Sequence, residues 1–305
     1  MNCRSGHALA ALLGCFLIAG VEPLPQEVAT EPESASIRFS GEYLAEETFI
    51  GSADVADGPV KVRDFDESDT IVRFVFTPRT KIGILRFGAE WERFSFGFPS
   101  GAPLPATLQS GSLILGLDTQ FSDSILVRFE AQPGVYTTAF DNVSDDFNMP
   151  FIVGGTYIYN PNLQFIVGVS VDVERKYPVI PVAGIRWKLS RQWVLNAVLP
   201  KPRIEFEWSR DLTLYLGGDI KQTNFRVDED FGTAHGNPRL NHAVLSYGEI
   251  RTGVGFEWKI SQILTLTGEI GYQPYRSFDF YRAGVQFDED GSSAPYGMVS
   301  LHGSF

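Results

Sequence analysis

The sequence predicts an all-β chain, a transmembrane antiparallel up-and-down β-barrel of about 14 strands, with about 12 as the alternative count. Three observations predict it. Apolar and polar residues alternate with period two from residue 37 to residue 305, and no stretch sustains a helical period. Six tight turns punctuate that pattern, separated by links that are mostly longer. Four of the five tryptophans, Trp187, Trp193, Trp208 and Trp258, sit beside those tight turns, with Trp91 toward the other end of its strand.

From the start of the chain, Arg4 supplies a positive charge and Ala8 to Gly20 an apolar run too short to span a bilayer as a helix. Residues 1–20 therefore read as a secretory signal peptide. Cys3 and Cys15 both lie inside it, so the mature chain would carry no thiol, disulfide or zinc-thiolate site. Leu12-Leu13-Gly14-Cys15 is a partial lipobox, which leaves lipidation of Cys15 open, although Phe16-Leu17-Ile18 continues the apolar run past it. Residues 21–36, rich in Glu and Pro, read as a disordered periplasmic lead-in, and residues 37–305 as the barrel.

Within the barrel, Leu163, Phe165, Val167, Val169, Val171 and Val173 alternate with Gln164, Ile166, Gly168, Ser170, Asp172 and Glu174, which gives a strand one apolar face. Ile250, Thr252, Val254, Phe256, Trp258 and Ile260 alternate likewise with Glu249, Arg251, Gly253, Gly255, Glu257 and Lys259. The tight turns centre on Pro78-Arg79-Thr80, Ser122-Asp123-Ser124, Asn160-Pro161-Asn162, Ser190-Arg191-Gln192, Ser209-Arg210-Asp211 and Ser261-Gln262. The acidic clusters Asp64 to Asp69, Asp141 to Asp146, Asp228 to Asp230 and Asp288 to Asp290 all fall between these hairpins. Alternation assigns them to links on the cell exterior, where contact with lipopolysaccharide is expected.

The last strand carries Val299, Leu301 and Phe305 on one face and Met298, Ser300, His302 and Ser304 on the other. It resembles the closing strand of a bacterial outer-membrane barrel, which implies that Phe305 is an assembly signal for the barrel-insertion machinery of a Gram-negative cell. The stretch from Val179-Ile180-Pro181 through Trp187-Lys188-Leu189-Ser190-Arg191-Gln192-Trp193 to Ile204-Glu205-Phe206, with Leu214-Tyr215-Leu216-Gly217-Gly218, resembles a family of uncharacterised, porin-like bacterial outer-membrane barrel proteins. The resemblance implies fold and location, the outer membrane, and transfers no activity to any residue.

If the apolar face meets lipid, the other face lines the lumen. Arg86, Glu90, Arg128, Glu130, Arg186, Glu249 and Arg251 are the pore-lining candidates, because mid-strand charges of both signs could set a selective field in a wet pore. Cross-strand ion pairing that keeps a wet interior soluble is the competing role for the same residues. A net charge of -12 argues against nucleic acid as a partner. The acidic clusters lack the spacing of a calcium loop, and no metal-ligand or cofactor motif appears. His242 and Ser246 are too far apart along a strand for a nucleophile and its base, so no enzyme is expected. The reading is a passive channel for small hydrophilic solutes, with a closed-lumen structural or surface-binding barrel as the alternative.

Overall fold

The computed structural model describes residues 40–99, 101–141, 143–289 and 293–305. The signal peptide, Cys15, the lead-in, Arg38 and Asp290 lie outside the described residues. The barrel begins with β1 (Gly41–Asp57), β2 (Val60–Phe76), β3 (Gly83–Gly97) and β4 (Thr107–Ser122). β5 runs Ile125–Ala131 and continues as Gly134–Thr137, and β6 runs Phe147–Asn148 and then Phe151–Asn160. β7 (Leu163–Val171), β8 (Val179–Lys188), β9 (Trp193–Val198) and β10 (Arg203–Glu207) are shorter. β11 (Leu212–Arg226), β12 (Val244–Lys259) and β13 (Thr265–Phe280) are long, and β14 combines Val285–Glu289 with Ala294–Ser304. Each strand pairs antiparallel with the next, and β14 returns to β1 from Glu42↔Ser304 to Ile50↔Tyr296, so the sheet closes as a 14-strand barrel.

All six tight turns lie at one end, and both described chain ends lie there too. The opposite links differ from the expectation in one respect. β1 and β2 are joined by only Gly58 and Pro59, where Gly58 takes the positive φ of 56° that the first position of such a hairpin demands. The cluster Asp64 to Asp69 is accordingly not a loop: it lies within β2, with Asp64 and Asp66 on the outside and Glu67 and Asp69 buried inside. Asp288 and Glu289 likewise belong to β14.

The apolar face changes side along the long strands. Near the tight turns Phe87 and Trp91 of β3 point outward, as do Val72 and Phe74 of β2, all exposed. Further along, Phe94 and Phe96 of β3 and Phe65 of β2 point inward and are buried, while Asp66 and Arg93 take the exterior. The lower barrel thus has an apolar outside and a charged inside, as a bilayer requires. The upper barrel has a polar outside and an apolar inside, as water requires. Trp187, Trp193, Trp208 and Trp258 are exposed at the tight-turn end of the apolar band.

A depth series on β7 checks the band. Val167, at mid-strand, is 61% exposed, so Val167→Arg should cost about 2–4 kcal/mol, against about 0–1 kcal/mol for Val173→Arg just beyond the strand. Unfolding midpoints in liposomes measure both, and equal costs would mean that no lipid-depth gradient exists. Interior positions on this strand are poor controls. A Cβ on Gly168 would lie 2.9 Å from the Val153 carbonyl oxygen, and buried Ser170 accepts from Arg175.

Candidate functional site

The charges on the inner face are drawn into three successive levels. Nearest the tight turns, Arg86 reaches both oxygens of Glu42 at 3.1 and 2.9 Å and Glu130 at 3.2 Å. Asp118 receives a two-pronged contact from Arg128 at 2.6 and 2.7 Å, which joins β3, β4 and β5 to β1. Arg203 holds Glu205 and Glu257 together, and Lys188 meets Glu207 at 3.1 Å. Water access at this level is uneven: Lys188 and Glu207 remain 36% and 38% exposed, whereas Arg86 and Glu130 are buried at 2% and 5%.

At the middle level the bore is crossed. Lys221 on β11 donates to Asp69 on β2 at 2.6 Å and to Glu92 on β3 at 2.9 Å, strands on the opposite wall. All three side chains are buried, at 5%, 0% and 1% exposure, so they are paired out of contact with water. Arg73 donates to Glu90 on the same side. Arg251 contacts Asp219 at 3.1 Å, Glu249 at 3.4 Å and the Thr48 hydroxyl at 2.8 Å, and Asp219 also takes Lys201 at 3.2 Å. Just above, Tyr247 donates to Glu67 at 2.6 Å, and Arg276 lies 3.4 Å from the same carboxylate and 4.8 Å over the Phe65 ring.

The upper level is a closed apolar cap. Phe65, Phe94, Phe96, Phe225, Tyr247 and Phe278 form one buried cluster. Its ring contacts cross the bore: Phe94 meets Phe225 edge-on at 6.0 Å and Tyr247 at 4.9 Å. The backbone closes with them, because Thr137 at the end of β5 pairs directly with Arg226 at the end of β11. The turn after β7 seals the remaining side, with Asn148 and Asn224 both donating to Asp172 and Arg226 to Glu174.

The seven candidate residues from the sequence all face inward, but in different places. Arg86, Arg128 and Glu130 share the lowest network through Asp118, Glu90 pairs with Arg73, and Glu249 and Arg251 belong to the middle level. Arg186 on β8 is half-buried and enters none of these ion pairs. Sequence reasoning missed Glu67, Asp69, Glu92, Asp219 and Arg276, although alternation within β2 from Phe65 to Val75 carried the signal for the first two. His242 and Ser246 are apart: His242 precedes β12 and faces Asp146 at 3.6 Å, while Ser246 donates to Asn224. Among the described residues no cluster of His, Cys, Asp and Glu is arranged to hold a metal ion.

Glu289, above the apolar band, is half-buried beneath the cap. Burial pushes its carboxyl up to about 7 from the ordinary 4.5, and nearby Arg276 offsets this only in part. The folded state therefore binds this proton more tightly than the unfolded chain does. The stability is present in full below the unfolded value and is lost as pH rises toward the folded one. Resistance of the cap to protease should fall as pH rises from about 4.5 to about 7, and Glu289→Gln should flatten that profile.

The family described as a domain of unknown function (DUF6268) matches residues 111–292, more than half of the chain, and the chain belongs to it. No curated protein matches the sequence. Among solved structures the chain is similar to the COG4313 outer membrane channel from Pseudomonas putida F1, at 8% identity over 91% of this chain and 100% of that one, TM-score 0.49. The Pseudomonas putida toluene transporter TodX gives 9% identity over 87% and 89% of the two chains, TM-score 0.45. The KdgM porin gives 10% identity over 87% and 99%, TM-score 0.36. Likenesses at this level assign no residue role and no solute.

Proposed function

We propose that this member of the DUF6268 family is a bacterial outer-membrane barrel of the channel class. Its lumen is shut at rest, and small hydrophilic solutes pass when the contacts across the bore part. The observation that carries this reading is Lys221, which spans from β11 to Asp69 and Glu92 on the far wall and blocks the middle level of the bore with charge. An ion pair of this kind can open to hydrated partners, since each charge regains its water when the pair separates. The partly wet charges nearer the tight turns, among them Arg128, Arg203, Lys188 and Glu207, would form the vestibule on the periplasmic side. A permanently open porin is the less supported form of the reading, because the apolar cap lies in series with the charged level.

That same cap favours the second reading, a closed structural or surface-binding barrel without transport. Planar-bilayer recording with the refolded, inserted protein separates the two. The wild type should be quiet at low voltage with brief small openings, and Lys221→Ser should raise the open fraction. Steady wild-type current from the first insertion would refute resting closure. Silence of both proteins at every voltage, with liposome swelling also absent, would leave the structural barrel.

The apolar band and its tryptophan girdle support the outer membrane as location. Phe305 supports it: its backbone pairs in both directions with Gly41 and its ring lies 6.3 Å from Phe74 on the outer face, where an assembly factor can reach it.

A further inference from the structure

Barrel walls are convex outside, but the wall from β10 through β14 to β1 is indented. A groove of about 1060 Å³ lies on its exterior. Its lining follows the strand register: Ile204↔Leu216, Leu216↔Val254, Val254↔Ile270, Ile270↔Gly297 and Gly297↔Phe49 form one unbroken row. The cause of the indentation is on the inner side. Gly217, Gly253 and Gly271 are consecutive partners there and Gly255 adjoins them, so no side chains hold this wall away from the lumen. The wall has moved in until the space is used. A Cβ on Gly253 would fall 2.5 Å from the Tyr296 hydroxyl, and one on Gly255 2.4 Å from the Tyr215 ring.

The groove opens within the apolar band toward its tight-turn end, where Trp193 contributes to the lining. Directly beneath it the turns carry Arg191 and Arg210, both exposed and opposed by the single acid Asp211. An apolar trough above two turn arginines matches an amphiphile with acyl chains and an anionic head. A second copy of this chain cannot fill it by the same surface, because a two-fold contact would set concavity against concavity.

We propose that the groove and its cationic rim bind one anionic glycerophospholipid of the periplasmic leaflet. Its chains lie along the Ile204 to Phe49 row and its phosphate meets Arg191 and Arg210. The site rests on the membrane reading above, and would hold the lipid whether or not the lumen conducts.

Native mass spectrometry of the refolded barrel, offered equal amounts of phosphatidylglycerol and phosphatidylcholine with identical chains, tests it. One phosphatidylglycerol should be retained with about tenfold preference. The double variant Arg191→Gln, Arg210→Gln should bring that preference close to one while lipid is still bound. Gly297→Leu fills the groove from a position where an added Cβ meets nothing within 4 Å, and it should lose the retained lipid of both kinds while the strand content stays unchanged. Equal retention of the two lipids by the wild type, or unaltered retention by Gly297→Leu, would overturn the site. Failure of the wild type to insert into liposomes would instead overturn the membrane reading.

Discussion

Lys221→Met should destabilise the barrel by about 3–5 kcal/mol, the cost of leaving buried charges without their partner. The substitution keeps the length of the side chain and removes its ammonium. Asp69 and Glu92, at 0% and 1% exposure, then lie side by side on neighbouring strands of one wall without the cation that both contact now. Arg251 is held elsewhere by Asp219, Glu249 and Thr48, so it cannot turn to replace Lys221 without abandoning them. The triple variant Lys221→Met, Asp69→Asn, Glu92→Gln should recover most of the loss, because three apolar or neutral groups can occupy the space that three charges do. Urea unfolding in liposomes measures the cycle. A loss below about 1 kcal/mol for Lys221→Met alone would mean that water already reaches the carboxylates, as at an exposed pair, and that the middle level is not closed.

How much of this was legible depends on which half of the barrel a residue occupies. In the lower half the strand from Leu163 to Val173 could be read directly, since its outward valines meet lipid and its inward Gln164 and Ser170 do not. Turn chemistry and the tryptophans fixed which end is which. Glu67 and Asp69 escaped because dense acidity resembles a solvated loop, whereas here it occupies the upper stretch of a strand with water outside and a packed interior. The signal lay in a change of phase. Trp91 and Phe94 stand three residues apart on one strand, yet both are on its apolar side, which period-two alternation forbids unless the apolar face has crossed over. The pairing of Thr137 with Arg226 and the reach of Lys221 join strands far apart in sequence, and no local pattern encodes such contacts. Alternation along a strand names a face for each of the seven lumen candidates, and it carries nothing about the level at which an inward charge sits.

Phe94→Ala should cost about 3–5 kcal/mol and should loosen the closed bore, because Phe94 is where the cap meets the charged level. Its ring is fully buried and contacts Phe96, Phe225 and Tyr247 with centroids 6.4, 6.0 and 4.9 Å away. On its other side the Lys221 ammonium lies 5.0 Å from the ring centre, so truncation removes apolar packing and a cation–π partner in one step. Phe96 is fixed on the same strand, and Phe225 and Tyr247 belong to β11 and β12 on the opposite wall, so the three rings cannot all move in to fill the space. Phe87→Ala on the same strand is the control, since Phe87 is 45% exposed on the lipid face and its removal leaves no interior void. Protease access to the cap and single-channel recording should both separate the two, with faster cleavage and a raised leak for Phe94→Ala alone. Equal losses for the two variants would show that the upper interior is not a packed core. A full loss of stability without any leak would place the block at the Lys221 level by itself.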